Sequence, residues 1–222
     1  MPQRIGVMGG TFDPVHLGHL RIAEEAVEEL ELDKVIFIPA ALPPHKPGMS
    51  ILPFVHRWNM LQLALAGHPR FLSSDLENRL PGKSYTVITL RRLHEERGED
   101  AEIFFFVGLD AFLELNTWWH FQELFRLAHI VVLRRPGYVL DDVGDFLHRK
   151  VSPLFVDEPD SRLFRHPELL TVHYLRNSCL AISSTDIRRL VARGRSIRYL
   201  VLPEIMRYIH ENELYRTEYP QS

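Results

Sequence analysis

Hydrophobic residues along this chain fall into two kinds of run, and the two kinds alternate. Ile5 to Met8, Val35 to Ile38, Ile103 to Val107 and His129 to Leu133 are short, nearly unbroken apolar runs, as expected of strands covered on both faces. Between them, apolar residues return every three or four positions. Leu17, Leu20, Ala23, Val27 and Leu30 make one such stripe, with Glu24, Glu25, Glu28 and Glu29 left for the wet side. Further helices are predicted over Phe54 to Leu65, Tyr85 to Glu96 and Ala111 to Leu127, and further short strands at Phe71-Leu72 and Leu169 to Tyr174. This alternation predicts an α/β fold, a three-layer parallel sheet with helices on both faces. Helices starting at Ser184 and Pro203 form a small C-terminal helical end, residues 184–222, within a single domain spanning 1–222. Two segments fit less well. The proline-rich stretch from Pro39 to Pro53 is too long for a plain connector. Tyr138 to Pro167, with a weak helix at Val143 to His148, reads as an excursion from the sheet.

Composition narrows the class. With 222 residues, 45% of them hydrophobic and 25% charged, the chain can bury a sizeable core. Its formal net charge is −3 and its basic residues are scattered, which disfavours a nucleic-acid partner. Cys179 is the only cysteine, excluding an internal disulfide or a thiolate cluster and fitting a reducing compartment. The first strand starts within about four residues of the amino end, leaving no room for a signal peptide, and no apolar run approaches the roughly 20 residues that span a bilayer. A cytoplasmic protein without membrane partners is expected, its oligomeric state left open.

The chemistry concentrates where the first strand gives way to the first helix, in Gly9-Gly10-Thr11-Phe12-Asp13-Pro14-Val15-His16-Leu17-Gly18-His19. Gly9 and Gly10 let the backbone approach a bulky anion, and the first-turn N–H groups of the helix offer it a positive dipole end. His16 and His19, three apart, can both donate to one phosphate chain. A His-x-x-His pair can instead hold a metal with Asp13, but a catalytic zinc site needs a third protein ligand that the sequence does not identify. No resident metal is assigned. A second candidate anion site is Ile182-Ser183-Ser184-Thr185-Asp186-Ile187-Arg188. Ser184 or Thr185 can cap a helix there, leaving amides for a triphosphate, and Arg188 would project a fork of donors toward it. An ordinary capped surface helix is the alternative.

These two motifs together resemble the nucleotidyltransferases that carry a His-x-Gly-His motif on a Rossmann-like sheet. Residues between them resemble, in order, the bacterial nicotinate mononucleotide adenylyltransferases: Pro43-Pro44-His45-Lys46, Ser84-Tyr85-Thr86, Gly108-x-Asp110, Trp118 and Arg135-Pro136-Gly137. The likeness runs on to the Leu202-Pro203 start of the last helix and to Leu214-Tyr215. Two positions depart from the pattern. Ile88 stands where an acidic residue is usual, and Leu109 stands where alanine is usual.

The resemblance implies transfer of the adenylyl group of ATP to nicotinate mononucleotide, giving nicotinate adenine dinucleotide and pyrophosphate, with Mg²⁺ accompanying ATP. It implies His16, His19 and Arg188 as catalytic residues. ATP and its phosphates would meet Gly9, Gly10, Thr11, Phe12, Gly18, Lys46, Gly108, Asp110, Ile182, Ser183, Ser184 and Thr185. The nicotinate end would meet Ser84, Tyr85, Thr86, Trp118 and Arg135. The amides of Ser84, Tyr85 and Thr86 follow Pro81-Gly82 at a helix start and can meet a carboxylate. Trp118 can stack on the pyridine ring or serve, like Trp119, as packing. Lys46 can be a solvated loop lysine, and Asp110 a helix cap rather than a ribose partner. A nucleotide-binding sensor without turnover is the rival from another class, and intact His16, His19 and Arg188 argue against it. Phosphopantetheine adenylyltransferases and cytidylyltransferases share the first motif but usually lack the Pro-Pro-His-Lys and Ser-Tyr-Thr elements.

Overall fold

A computed structural model describes residues 2–42, 51–98, 100–134, 140–158 and 161–216. In chain order the elements are β1 (Gln3–Gly10), α1 (Leu17–Glu29), β2 (Lys34–Pro39), α2 (Phe54–Leu65), β3 (Phe71–Ser73), α3 (Leu76–Arg79), α4 (Thr86–Arg97) and β4 (Ala101–Gly108). There follow α5 (Leu109–Phe112), α6 (Phe121–Leu127), β5 (His129–Leu133), α7 (Leu140–Phe146), β6 (Val156–Glu158), β7 (Leu163–Arg165), β8 (Val172–Leu175), α8 (Ser184–Ala192) and α9 (Pro203–Glu211). The strands form one sheet in the order β3-β2-β1-β4-β5-β8-β7-β6.

The strands from β3 to β8 run parallel, but β7 pairs antiparallel with β8 and with β6. The expected parallel sheet with helices on both faces is present, and β7 and β6 add an antiparallel edge to it. The Tyr138–Pro167 segment, expected to leave the sheet, instead extends it where it is described. Its two strands are three residues long, too short for a period of two to stand out in sequence. The four-residue α3 was not expected either.

Both faces of the sheet are covered, which is why the central strands read as unbroken apolar runs. Ile5, Val7, Ile38, Phe105 and Val132 face α4, α6 and α7 through Leu90, Leu93, Phe125 and Val143. Met8, Phe37, Phe106 and Val131 face α1, α2, α8 and α9 through Ala23, Val27, Met60, Ile187 and Ile205. From β1 the chain winds outward to β2 and β3, then returns to β4 on the other side of β1. The crevice beyond the carboxyl ends of β1 and β4 is therefore a topological switch point, the place where open α/β sheets bind ligands.

At the start of β5 lies a polar cluster unrelated to that crevice. The Thr171 hydroxyl oxygen sits 2.6 Å from His129 Nδ1 and 2.9 Å from His173 Nε2. Burial depresses both imidazoles, His173 to about 4, with the neighbouring His129, Arg4 and Arg165 adding to the effect on His173.

Candidate active site

Gly9 and Gly10 are the last residues of β1, paired with Ile38 and Pro39 of β2, so the turn comes after them rather than at them. Gly10 makes room. A Cβ there would lie 3.1 Å from Cζ of Phe12, whose backbone takes the left-handed conformation at φ 50°. Phe12 is buried with its ring edge-on to His19, 5.1 Å between centroids, so the apolar underside of this loop sets the height of that imidazole. A strained backbone of this kind persists only when its surroundings over-determine it. Here Arg57, itself buried, donates from Nη1 to the Thr11 carbonyl at 2.9 Å and the Ala40 carbonyl at 2.8 Å, and from Nε to the Leu52 carbonyl at 3.0 Å. One guanidinium thereby ties the loop to the ends of the segment that follows β2. Burial pushes the Arg57 pKa down, partly offset by the fields of Asp13, Tyr215 and Glu77.

His16 caps α1, and its backbone N–H donates to His19 Nδ1 at 3.2 Å. With Nδ1 accepting, the donor nitrogen of His19 is Nε2. The two imidazoles stack, 3.7 Å between centroids. Gly18 permits this: a Cβ there would lie 3.0 Å from His16 Nδ1. The first-turn amides are only partly available. Leu17 N–H donates to the Leu200 carbonyl at 3.0 Å and His19 N–H to the His16 carbonyl at 3.0 Å. Gly18, between them, lines the cavity.

The second motif meets the first directly. Ser184 Oγ donates to the Pro14 carbonyl at 2.9 Å. The cap of α8 is Ser183, whose Oγ accepts from Asp186 N–H at 3.1 Å, which corrects the expectation that Ser184 or Thr185 serves as the cap. Ser184 is diverted to the neighbouring loop, and Thr185 accepts from Arg188 Nη2 at 3.3 Å. Arg188 Nη1 donates to the Asp13 carbonyl at 2.7 Å and lies 3.9 Å from Asp13 Oδ2. The guanidinium is thus docked on the first motif, not projecting as an unengaged fork.

These elements enclose a cavity of about 590 Å³. Of the residues expected around ATP, Gly9, Thr11, Phe12, His16, Gly18, His19, Gly108, Ile182, Ser183, Ser184, Thr185 and Arg188 line it. Gly10 lies beneath. Asp110 is exposed at the second position of α5 and is not a cap, a place held by Gly108. Lys46 and Arg135, with the rest of Pro43-Pro44-His45-Lys46 and Arg135-Pro136-Gly137, lie outside the described residues. The wall opposite α1 includes Arg134 and Asn177 to Ala181. Buried Asn177 accepts from Arg134 N–H at 2.7 Å. Glu25 of α1 holds Ser178, accepting from its amide at 2.7 Å and from its hydroxyl. Burial raises the Glu25 pKa, but these two bonds and Arg21 outweigh it and hold the carboxyl below its ordinary value.

The residues expected at the nicotinate end sit one strand over. Ser84 Oγ accepts from Ala41 N–H at 3.0 Å and Leu42 N–H at 3.1 Å. Ala40 N–H in turn donates to the Gly10 carbonyl at 2.8 Å. Contrary to expectation, the amides of Ser84 and Tyr85 are spent inside the protein, on the carbonyls of Leu42 and Lys83. Thr86 opens α4, and in its first turn the Ile88 amide is already spent on the Tyr85 carbonyl at 2.9 Å. Trp118 packs on the core, edge-on to Phe105 at 6.4 Å. Its neighbour Trp119, 44% exposed, is the tryptophan beside Tyr85, at 5.1 Å.

Sequence reasoning considered Asp13 only as a metal ligand and did not single out Arg57, Asn177 or Trp119 for the site. Arg57 carried a signal: it interrupts an α2 stripe that continues through Met60, Leu61 and Leu65. A charged residue on a buried stripe asks for a polar partner.

Comparison with known proteins gives a consistent result. The cytidylyltransferase-like family profile matches residues 7–190. A protein of Geobacter metallireducens, named a probable nicotinate-nucleotide adenylyltransferase, is 46% identical over 212 residues, covering 96% of this chain and 98% of its own. One of the same name from Syntrophotalea carbinolica is 44% identical over 215 residues, 97% of this chain and 98% of its own. Among solved structures, the Plasmodium falciparum nicotinic acid mononucleotide adenylyltransferase complexed with NaAD matches at a TM-score of 0.74 and 18% identity, covering 97% of this chain and 98% of that one.

Proposed function

The chain belongs to the cytidylyltransferase-like family, among its nicotinate-nucleotide adenylyltransferases, and from that premise we propose that its cavity transfers the adenylyl group of ATP to nicotinate mononucleotide. The products are nicotinate adenine dinucleotide and pyrophosphate. The observation that carries the reading is the meeting of the two anion motifs, 170 residues apart, through Ser184 and Pro14 at the mouth of one cavity.

A phosphate oxygen of the mononucleotide attacks the α-phosphorus of ATP in line. The new O–P bond forms as the bond to the α,β-bridging oxygen breaks, and pyrophosphate leaves with that electron pair. No general base is needed, because a phosphomonoester with a second pKa near 6 is mostly dianionic at neutral pH. Catalysis then rests on alignment and on donors aimed at growing charge. His19 Nε2 donates to the α- or bridging phosphate, with His16 and Gly18 beside it. Arg188 and the α8 amides take the β- and γ-phosphates, and Lys46 is assigned to the same task. Mg²⁺ enters on ATP as part of the substrate. The side chains fit that division: Asp13 is engaged by Tyr215 and Arg188, and Asp186 by Ser183 and Arg189, leaving chiefly donors for the phosphate chain. Magnesium carried on phosphates and water needs no protein cage.

For the pyridine end, the first-turn amides of α4 at Thr86 are the expected carboxylate partners, with Tyr85 and Trp119 the nearest aromatic pair and Trp118 behind. A cytoplasmic setting is supported by the single thiol, Cys179, and by the finding that no described helix is long and apolar enough to cross a membrane. The test is pyrophosphate release with ATP and each candidate acceptor. Specificity constants should favour nicotinate mononucleotide. Preference for phosphopantetheine, or saturable ATP binding with no pyrophosphate, would overturn the assignment.

A further inference from the structure

One carboxylate that lines the cavity is held from far away. Asp13 is 2% exposed, and its Oδ1 accepts the Tyr215 hydroxyl at 2.7 Å across 202 positions of sequence. Its Oδ2 faces Leu52 N–H at 3.4 Å and Arg188 Nη1 at 3.9 Å, while its carbonyl accepts from the same Nη1 at 2.7 Å. Tyr215 is 3% exposed, its ring seated in the core cluster that includes Phe12, Val15 and Ile209. Its backbone is left-handed, φ 62°, a conformation disfavoured for a residue with a Cβ. Packing and that backbone together aim the hydroxyl at one oxygen of Asp13. Tyr215 sits in the core rather than in the cavity lining, yet through Asp13, which does line it, it bears on Arg188.

We propose that Tyr215 is a positioning residue for adenylyl transfer: by fixing the Asp13 carboxylate it sets the place of the Arg188 guanidinium against the triphosphate. This rests on the assignment of Arg188 to the ATP phosphates. Without the hydroxyl, Oδ1 would be a buried acceptor lacking its donor, and the carboxylate would turn to recover one. Two cationic groups lie within its field, Arg188 and the fully buried Arg57, and Arg57 already serves three carbonyls. The turn therefore falls on the Arg188 contact. The ring and its packing still hold the fold, so losing the hydroxyl costs some stability without unfolding the chain.

Tyr215→Phe removes one oxygen and keeps the ring. The expected result is a loss in kcat/KM for ATP on the order of tenfold, the scale of one charge-assisted hydrogen bond, with KM for nicotinate mononucleotide little changed and the melting temperature lowered by only a few degrees. In an Arg188→Ala background the same substitution should have no further effect, because the connection it acts through is gone. Asp13→Asn keeps the side chain's shape and serves as the second background: there too Tyr215→Phe should add little. A merely structural tyrosine would lower stability with no selective loss toward ATP and give losses that multiply in both backgrounds. Either that outcome or a Tyr215→Phe enzyme with full kcat/KM for ATP overturns the proposal. If Arg188→Ala alone leaves the ATP dependence unchanged, the assignment of Arg188 falls, and the proposal falls with it. Losses that multiply on top of an impaired Arg188→Ala enzyme would overturn only the link to Tyr215.

Discussion

Gly18→Ala is a substitution that should separate activity from stability. The added Cβ would lie 3.0 Å from His16 Nδ1 and 3.1 Å from His16 Cε1, with Ile182 Cβ at 3.9 Å behind. Ordinary contact needs the imidazole to retreat by a few tenths of an ångström. That ring is stacked on His19 at 3.7 Å, so its retreat is handed to the imidazole aimed at the α-phosphate. If a 1 Å misplacement costs on the order of 10²-fold, a few tenths should cost roughly three- to tenfold in kcat. The backbone pulls the other way. Gly18 lies in the first turn of α1, where replacing glycine removes an entropic penalty of up to about 1 kcal/mol, enough to offset the crowding. Steady-state pyrophosphate release and thermal unfolding measure the two effects on one preparation. A lower kcat with an unchanged or higher melting temperature is expected. Full kcat would show that the stacked pair does not transmit the displacement, and a melting temperature many degrees lower would show that the crowding is a folding defect; either result refutes the reasoning.

Two further outcomes follow from named contacts. His19→Ala should leave helical circular dichroism intact and lower kcat on the order of 10²- to 10³-fold with a much smaller change in KM, since a donor to growing charge acts in the transition state; a near-normal kcat would return His19 to a structural role. Acid should destabilise the fold through His173 and His129: the unfolded chain binds their protons from about pH 6.5 downward while folded His173 resists to about 4, so stability is full above pH 6.5 and is lost as pH falls toward 4. The His173 gap is worth about 3 kcal/mol at most, and urea titrations between pH 7 and 4.5 that show no extra loss relative to a His173→Gln variant would contradict it.

What was legible in sequence followed from repetition. The β1–α1 junction, α2 and β5 showed themselves because several residues in a row obeyed one period and the motif residues lay adjacent. The strands β6 and β7 did not, having three residues each. Within the site, adjacency again decided the outcome. His16, Gly18 and His19 could be placed on one turn from spacing alone, but Ser183 as the cap depended on Ser184 being drawn to Pro14, 170 positions away. Trp118 and Trp119 are neighbours on one turn of chain, and only the packing of Phe105 decides which goes inward. The Asp13–Tyr215 contact spans 202 residues and leaves no periodic trace.

Helix α1 does two jobs at once, and their combination fixes a dimension. Its first turn carries His16 and His19, and six residues beyond His19, about 9 Å along the axis, Glu25 grips Ser178 in the facing wall. The span between the imidazoles and that wall is therefore measured off by a rigid rod, as jaws are by the beam of a caliper. A loop-built cavity can stretch to admit a bulkier phosphate ester; this one widens along that line only by giving up the Glu25–Ser178 bonds.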